Sequence, residues 1–337
     1  MKTEYFDFEN QSLPYVIAEI GINHNGNEDL AIKMIEQAAK AGANAVKFQL
    51  YKTENFIEKK ASLPLAFEGS LFDFFQRYEF PQEVWMKLKK VAHQNKVDFL
   101  CSVFDDESLR FYHEKLNSKM IKVASTDINN YLLLEKIKEL NYQFILSTGA
   151  TEEQEIEQVV ERFGKPFAIL ECVSNYPSQT QDYLLSLLPY WEKKYECLVG
   201  VSDHTLDHKV SLISVLFGGR LIEIHFTIDK KLSGPDQKLS ITPKELKKLK
   251  QEIKIYNQLK NEPIKLPKQS EENVRMFGRR SLFYNKNLQE GSILKKEDLI
   301  ALRPGGGIPP SEYEHFINKT LKRNVKKGER LHYYDFF

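Results

Sequence analysis

Two histidines raise the first chemical question in this sequence. His204 stands in GVSDHT, residues 200–205, just after the apolar pair Leu198 and Val199, and His225 lies in LIEIHFT, residues 221–227. One histidine at a strand end is more often a hydrogen-bonded core residue than a ligand. Two on adjacent strands at similar depth can place both imidazoles around one metal ion. With no cysteine partner, such a site keeps positions open for water, carboxylate or substrate, as a catalytic ion requires. Nitrogen and oxygen donors suit Mn, Fe, Co or Zn. Asp203 and Asp236 are the nearest carboxylates in sequence. His93, His113 and His208 fall on helical stretches and read as surface or packing residues. His315 and His332 have no partner nearby in sequence.

Two lysines raise a second question. Lys47 interrupts NAVKFQL and Lys122 interrupts KMIKVAS, both otherwise apolar runs. A charge inside such a run is costly unless it is paired. One such lysine alone would read as snorkelling or as the partner of a carboxylate. Two in equivalent places, among hydroxyls and carboxylates, suit an anionic substrate carrying phosphate or carboxylate. The other polar groups at run ends are Glu19, Gln49, Ser125, Asp127, Ser147, Ser174, Tyr176 and Ser202, while the third run offers Cys101 and Ser102.

The elements that position these groups follow from periodicity. Eight short apolar runs (YVIAEIG, NAVKFQL, VDFLCSV, KMIKVAS, QFILSTG, FAILECV, CLVGVSD and LIEIHFT) alternate with amphipathic segments such as EDLAIKMIEQAAKAG and EEQEIEQVVERFG. Nearly continuous apolar runs are expected of parallel strands buried on both faces. The spacing predicts an α/β fold, a (β/α)8 TIM barrel over residues 1–258, with chemistry at the C-terminal strand ends. An open doubly wound sheet fits less well, and GINHNG lacks the spacing of a dinucleotide fingerprint. Residues 259–276 read as a proline-bearing, charged linker. Residues 277–337 read as a small β-rich module with little core of its own, leaning on the barrel or on another subunit.

Composition narrows the function classes. The chain has 337 residues, 42% hydrophobic and 28% charged, with a formal net charge of +1. Such a balance argues against nucleic acid as a partner. No stretch is long and apolar enough to span a bilayer, and MKTEYFDFENQ lacks the apolar run of a signal peptide. Three widely spaced cysteines, Cys101, Cys172 and Cys197, make a disulfide framework improbable and point to a reduced, cytoplasmic setting.

Taken in order, the motifs resemble those of the sialic acid (nonulosonic acid) synthases. AEIGINHNG at 18–26, VKFQ at 46–49, IKVASTDINN at 121–130, STG at 147–149 and CVSNYP at 172–177 are similar to that family's segments. So are GVSDHT, IEIHFTID at 222–229 and SGPDQ at 233–237. RRSL at 279–282 and RPGGGIPP at 303–310 resemble its C-terminal antifreeze-like (SAF) domain. Many members have glycine where Ala124 or Thr126 stands here, and some have asparagine in place of Ser174.

The resemblance implies condensation of phosphoenolpyruvate with an N-acetylated hexosamine. N-acetylmannosamine is the first choice, and a diacetamido-trideoxyhexose, giving legionaminate or pseudaminate, is the alternative. It implies Mn²⁺ on His204 and His225, and a domain-swapped homodimer whose SAF domain brings an arginine to the neighbouring barrel: Arg280, or the adjacent Arg279. In that frame Lys47, Lys122, Ser125, Ser147 and Ser202 hold the donor's phosphate and carboxylate, and Glu19 serves the water-addition step. Gln49, Asp127, Tyr176 and Asp236 address the sugar, with Asp236 alternatively bonded to a metal-bound water. Sugar contacts near 65–80 are left unplaced. The rivals are a 3-deoxy-heptulosonate or octulosonate synthase and a non-catalytic carbohydrate-binding barrel.

Overall fold

Strand β1 (Tyr15–Gly21) shows how alternation builds the molecule. Val16, Ala18 and Ile20 join the layer between sheet and helices, while Tyr15 and Ile17 join a second apolar cluster inside the sheet. Glu19 continues that inner face toward the strand's C-terminal end. In this computed structural model, which describes residues 2–61, 70–259 and 264–337, the same rule holds around a closed barrel of eight parallel strands. The others are β2 (Ala45–Leu50), β3 (Asp98–Val103), β4 (Met120–Val123), β5 (Gln143–Ser147), β6 (Ala168–Cys172), β7 (Leu198–Asp203) and β8 (Leu221–His225). β8 closes on β1, with Glu19 beside His225, and β1 pairs with β2, with Glu19 beside Lys47.

A helix follows every strand. They are α1 (Glu28–Ala41), α2 (Gln82–Gln94), α3 (Asp106–Phe111), α4 (Tyr131–Glu139), α5 (Glu153–Phe163), α6 (Leu187–Tyr195), α7 (Lys209–Leu216) and α8 (Pro243–Leu259). α1 is typical. Asn27 caps it by accepting from the Leu30 N–H, and Gly42 ends it in the left-handed region at φ 96°. Met34, Ile35 and Ala38 bury its inner face. Gly200 of GVSDHT has a steric reason to be glycine, since a Cβ there would lie 2.0 Å from the Leu221 carbonyl oxygen.

The lower half of the barrel interior is apolar, and the chain's first residues seal it. Phe6 and Phe8 pack under Tyr15, and Phe8 meets Phe167 at 5.2 Å between ring centroids. The Tyr15 hydroxyl donates to Asp98 at 2.7 Å, and the Glu4 N–H donates to the same carboxylate at 3.2 Å. Among the described residues no helix is long and apolar enough to cross a membrane.

The chain divides into two compact units, Met1–Asn261 and Glu262–Phe337. In the second, β9 (Ser281–Tyr284) pairs antiparallel with β10 (Leu299–Leu302). Residues 320–331 contribute isolated bridges at Thr320, Leu321, Val325 and Arg330. This module differs from expectation in having a core of its own, in which Leu282, Tyr284, Leu294, Phe316 and Phe336 are buried. Buried Asp335 organises it, accepting from the Tyr284 hydroxyl at 2.9 Å and from Arg323 Nε at 2.7 Å. The region read as a linker folds locally into helical turns at Gln269–Glu271 and Val274–Gly278.

Truncating the plug should be costly. Phe8→Ala is expected to lower stability by about 3 kcal/mol, read as a shift of the denaturant midpoint, with substrate KM values unchanged.

Candidate active site

Halfway up the barrel the apolar filling gives way to a layer of charges. Lys47 Nζ lies 2.8 Å from Glu19 Oε2 and 3.7 Å from Glu223 Oε1, and donates to Ser102 Oγ at 3.1 Å. The Ser202 hydroxyl donates to Glu223 Oε1 at 3.0 Å. Across the barrel, Lys122 Nζ donates to Ser147 Oγ at 2.6 Å and to the Val123 carbonyl at 2.9 Å. All these side chains are buried, so protonation depends on the neighbours. Burial opposes charge on Lys47, but Glu19 and Glu223 outweigh it and hold the ammonium above the usual lysine range. Burial likewise opposes ionisation of Glu223, yet Lys122 and Lys47 keep it below the usual carboxylate value. For Glu19 burial prevails and raises the carboxyl. For Lys122 burial also prevails and lowers the ammonium. Among the described residues, no carboxylate stands within ion-pair distance of Lys122.

Above this layer His204 and His225 face each other, with ring centroids 5.4 Å apart. His204 Nδ1 lies 2.8 Å from the Val173 carbonyl oxygen. A carbonyl can only accept, so Nδ1 carries the proton and Nε2 keeps its lone pair. Burial, reinforced by His225, pushes His204 down to about 3, so the ring is neutral at physiological pH. His225 is buried, and its Nδ1 has no hydrogen-bond partner; the Asp236 carboxylate stands 3.6 Å away. A neutral imidazole with a free lone pair on His204 and an orphaned buried nitrogen on His225 are groups that a divalent ion can use as ligands. Among the described residues no group of three or more His, Cys, Asp or Glu is arranged for a metal. The candidate donors here are the two imidazole nitrogens. The half-exposed Tyr176 ring lies over His204 at 4.2 Å between centroids.

On the β4–β6 side, small groups converge. The Gly149 N–H donates to Ser125 Oγ at 2.9 Å. A Cβ on Gly149 would lie 2.1 Å from Ser174 Oγ and 3.1 Å from Ser125 Oγ. Glycine thus leaves space at the meeting point of two hydroxyls. Asp127 is bound into its own turn, accepting from Asn130 Nδ2 and Thr126 Oγ1, each at 3.1 Å, and burial raises its carboxyl. Gln49 is half-buried at the end of β2; a Cβ on Gly21 would lie 3.5 Å from Gln49 Nε2 and 3.0 Å from Glu19 Oε1. Asp203 braces the loop behind His204, accepting from Thr205 and Ser211. Arg279 and Arg280 are exposed on the second unit, where Arg280 Nη1 donates to the Ala301 carbonyl at 2.8 Å. Of the stretch near 65–80, residues 65–69 lie outside the described residues.

Sequence reasoning missed three residues. Glu223 interrupts β8 as Lys47 interrupts β2, and that signal was available. Ser102, noted only in passing, receives the Lys47 ammonium. Tyr183 carried no signal because it lies in an irregular stretch. Its hydroxyl donates to the Ser202 carbonyl at 3.1 Å and accepts from the His204 N–H at 2.9 Å. It thereby fixes the backbone that carries His204.

The barrel, the charged layer and the paired imidazoles together mark the candidate active site of an enzyme. The chain belongs to the NeuB family, whose pattern it matches over residues 34–265, followed by an SAF domain over 279–336. It is 36% identical to the N,N'-diacetyllegionaminic acid synthase of Campylobacter jejuni, over 94% of this chain and 98% of that one. It is 33% identical to the N,N'-diacetyllegionaminic acid synthase of Legionella pneumophila, over 94% and 93%. Among solved structures, the N-acetylneuraminic acid (sialic acid) synthetase of Leptospira borgpetersenii in complex with citrate matches with a TM-score of 0.70 and 33% identity, covering 80% of this chain and 95% of that one.

Two outcomes follow from the geometry. Glu223→Gln removes the second carboxylate beside the buried Lys47 ammonium, and is expected to cost about 3 kcal/mol of stability together with most of the activity; thermal unfolding and kcat/KM report both. Tyr183→Phe should weaken divalent-ion binding about 10-fold in a direct titration, while the far-ultraviolet circular dichroism stays unchanged.

Proposed function

We propose that this chain is a nonulosonic acid synthase, condensing phosphoenolpyruvate with an N-acetylated hexosamine and releasing phosphate. The observation that carries the reading is the Lys122 ammonium, buried and bonded to two neutral acceptors. An anion is the partner that such a charge lacks. Ser147 steers it, and the Ser125, Gly149 and Ser174 cluster beside it has hydroxyls and space for phosphate oxygens. Lys47, already neutralised by Glu19 and Glu223, orients more than it attracts.

In the reaction the donor's methylene carbon attacks the open-chain sugar's aldehyde carbon. A carbon–carbon bond forms, and the aldehyde oxygen takes a proton. Water then adds to the former enol carbon, and phosphate departs with cleavage of the bond between that carbon and the bridging oxygen. A divalent ion on His204 and His225, Mn²⁺ in our reading, would supply Lewis acidity to the aldehyde. The chain's own groups do the rest. Lys122 and the hydroxyls hold the donor in line. Glu19, its carboxyl raised by burial, takes or returns the protons of water addition. Ser202 bonds to Glu223 and fixes its orientation. Tyr176, Gln49, Asp127 and Asp236 line the approach to the acceptor.

A domain-swapped homodimer, with Arg280 of one copy serving the other copy's barrel, belongs to this reading, supported by motif resemblance and by the exposure of Arg280. A cytoplasmic setting also belongs to it, supported by three free, buried cysteines. N-acetylmannosamine is the acceptor in this reading. A diacetamido-trideoxyhexose is the second reading, favoured by the names of the two bacterial relatives.

Product mass spectrometry after incubation with phosphoenolpyruvate, Mn²⁺ and each sugar decides between them. Phosphate release with an acetamido sugar is expected. Turnover with sugar phosphates alone would overturn the reading. Lys122→Met should raise KM for phosphoenolpyruvate at least 10-fold. Because burial lowers the Lys122 pKa, donor affinity should fall on the alkaline side below the ordinary lysine range. In Lys122→Arg that fall should disappear.

A further inference from the structure

At the opposite, N-terminal face of the barrel lies a cavity of about 820 Å³, between α2 and the starts of β3, β4 and β5. Besides Lys2, which is paired with Asp7, four lysines line it: Lys89 and Lys90 on α2, and Lys115 and Lys119 on the segment leading into β4. Among the described residues none of these four has a carboxylate within ion-pair distance. Lys89 is half-buried, and its ammonium meets only the Leu116 carbonyl; burial lowers its pKa. His93, also near the rim, has its Nδ1 2.9 Å from the Glu4 carboxylate. The buried Asp98 beneath is occupied by the Tyr15 hydroxyl and the Glu4 N–H.

Four like charges around one concavity repel one another. Several lysines elsewhere on this surface do have carboxylate partners, as Lys87 has Glu28 and Lys194 has Glu153. We propose that this cavity is a second ligand site, separate from the catalytic one, which binds a polyphosphate. A single phosphate or carboxylate offers too little charge for four ammoniums and fills little of the volume. The volume suits a small molecule of nucleotide size. Concavity and a net charge of +1 argue against extended nucleic acid, which needs a basic stripe. Met86 and the edge of Phe99 add an apolar wall, against which a nucleoside would rest and inorganic pyrophosphate would not.

The test is isothermal titration of the full chain with pyrophosphate and with adenosine diphosphate. Saturating phosphoenolpyruvate is present, to occupy the catalytic anion cradle. Sub-millimolar binding is expected, weakened at least 10-fold in Lys90→Ala/Lys119→Ala. Both side chains are exposed, so the fold and the basal turnover should persist. Charge reversal, Lys90→Glu/Lys119→Glu, should abolish the signal, and Lys122→Met should leave it intact. Tighter binding of adenosine diphosphate assigns the site to nucleotides, and equal binding assigns it to inorganic polyphosphate. No heat with either probe, full binding by the double variants, or loss of binding in Lys122→Met would overturn the proposal.

Discussion

The site depends on burying a lysine in the middle of a barrel. Lys47 sits where most barrels of this kind place branched aliphatic side chains. Its charge is tolerable only because Glu19 and Glu223 approach from β1 and β8. That triad fixes the register of the strands around it, since Glu19 lies beside both Lys47 and His225. It also sets the electrostatics of everything above. With Lys47 satisfied internally, the attraction for an anion passes to Lys122, whose partners are a hydroxyl and a carbonyl.

The upper barrel thus divides its labour by charge state. The His204 imidazole is kept neutral by burial, and a hydrogen bond from its Nδ1 fixes the tautomer. Lys47 is kept charged by the carboxylates of Glu19 and Glu223, while Lys122 has only a hydroxyl and a carbonyl beside it. Backbone hydrogen bonds from Tyr183 and braces from Asp203 hold the turn after β7 between these two regimes. Most of this support lies behind the sheet, outside the reacting volume.

Much of this was legible in the sequence because burial and charge conflict openly there. Lys47 and Lys122 stood out as charges inside apolar runs, and the barrel followed from eight such runs. Glu223 breaks its run in the same way but was masked by the more conspicuous His225 two residues later. α7 gives a weaker sequence signal than its neighbours, because KVSLISVL carries apolar residues on every side and has no amphipathic stripe. Tyr183 could not be found, since its importance comes from backbone groups 19 and 21 residues further along the chain, which only the tertiary fold brings to its hydroxyl.

Because Glu223 arrives on β8, the last barrel strand, the charged layer is completed only when the ring closes. Until Leu221–His225 docks against β1, Lys47 faces Glu19 alone, and closing the ring brings its second carboxylate. Folding intermediates that lack the final strand leave that buried charge less well balanced and should be poorly populated. The same carboxylate that adjusts the charged layer thus also favours cooperative assembly.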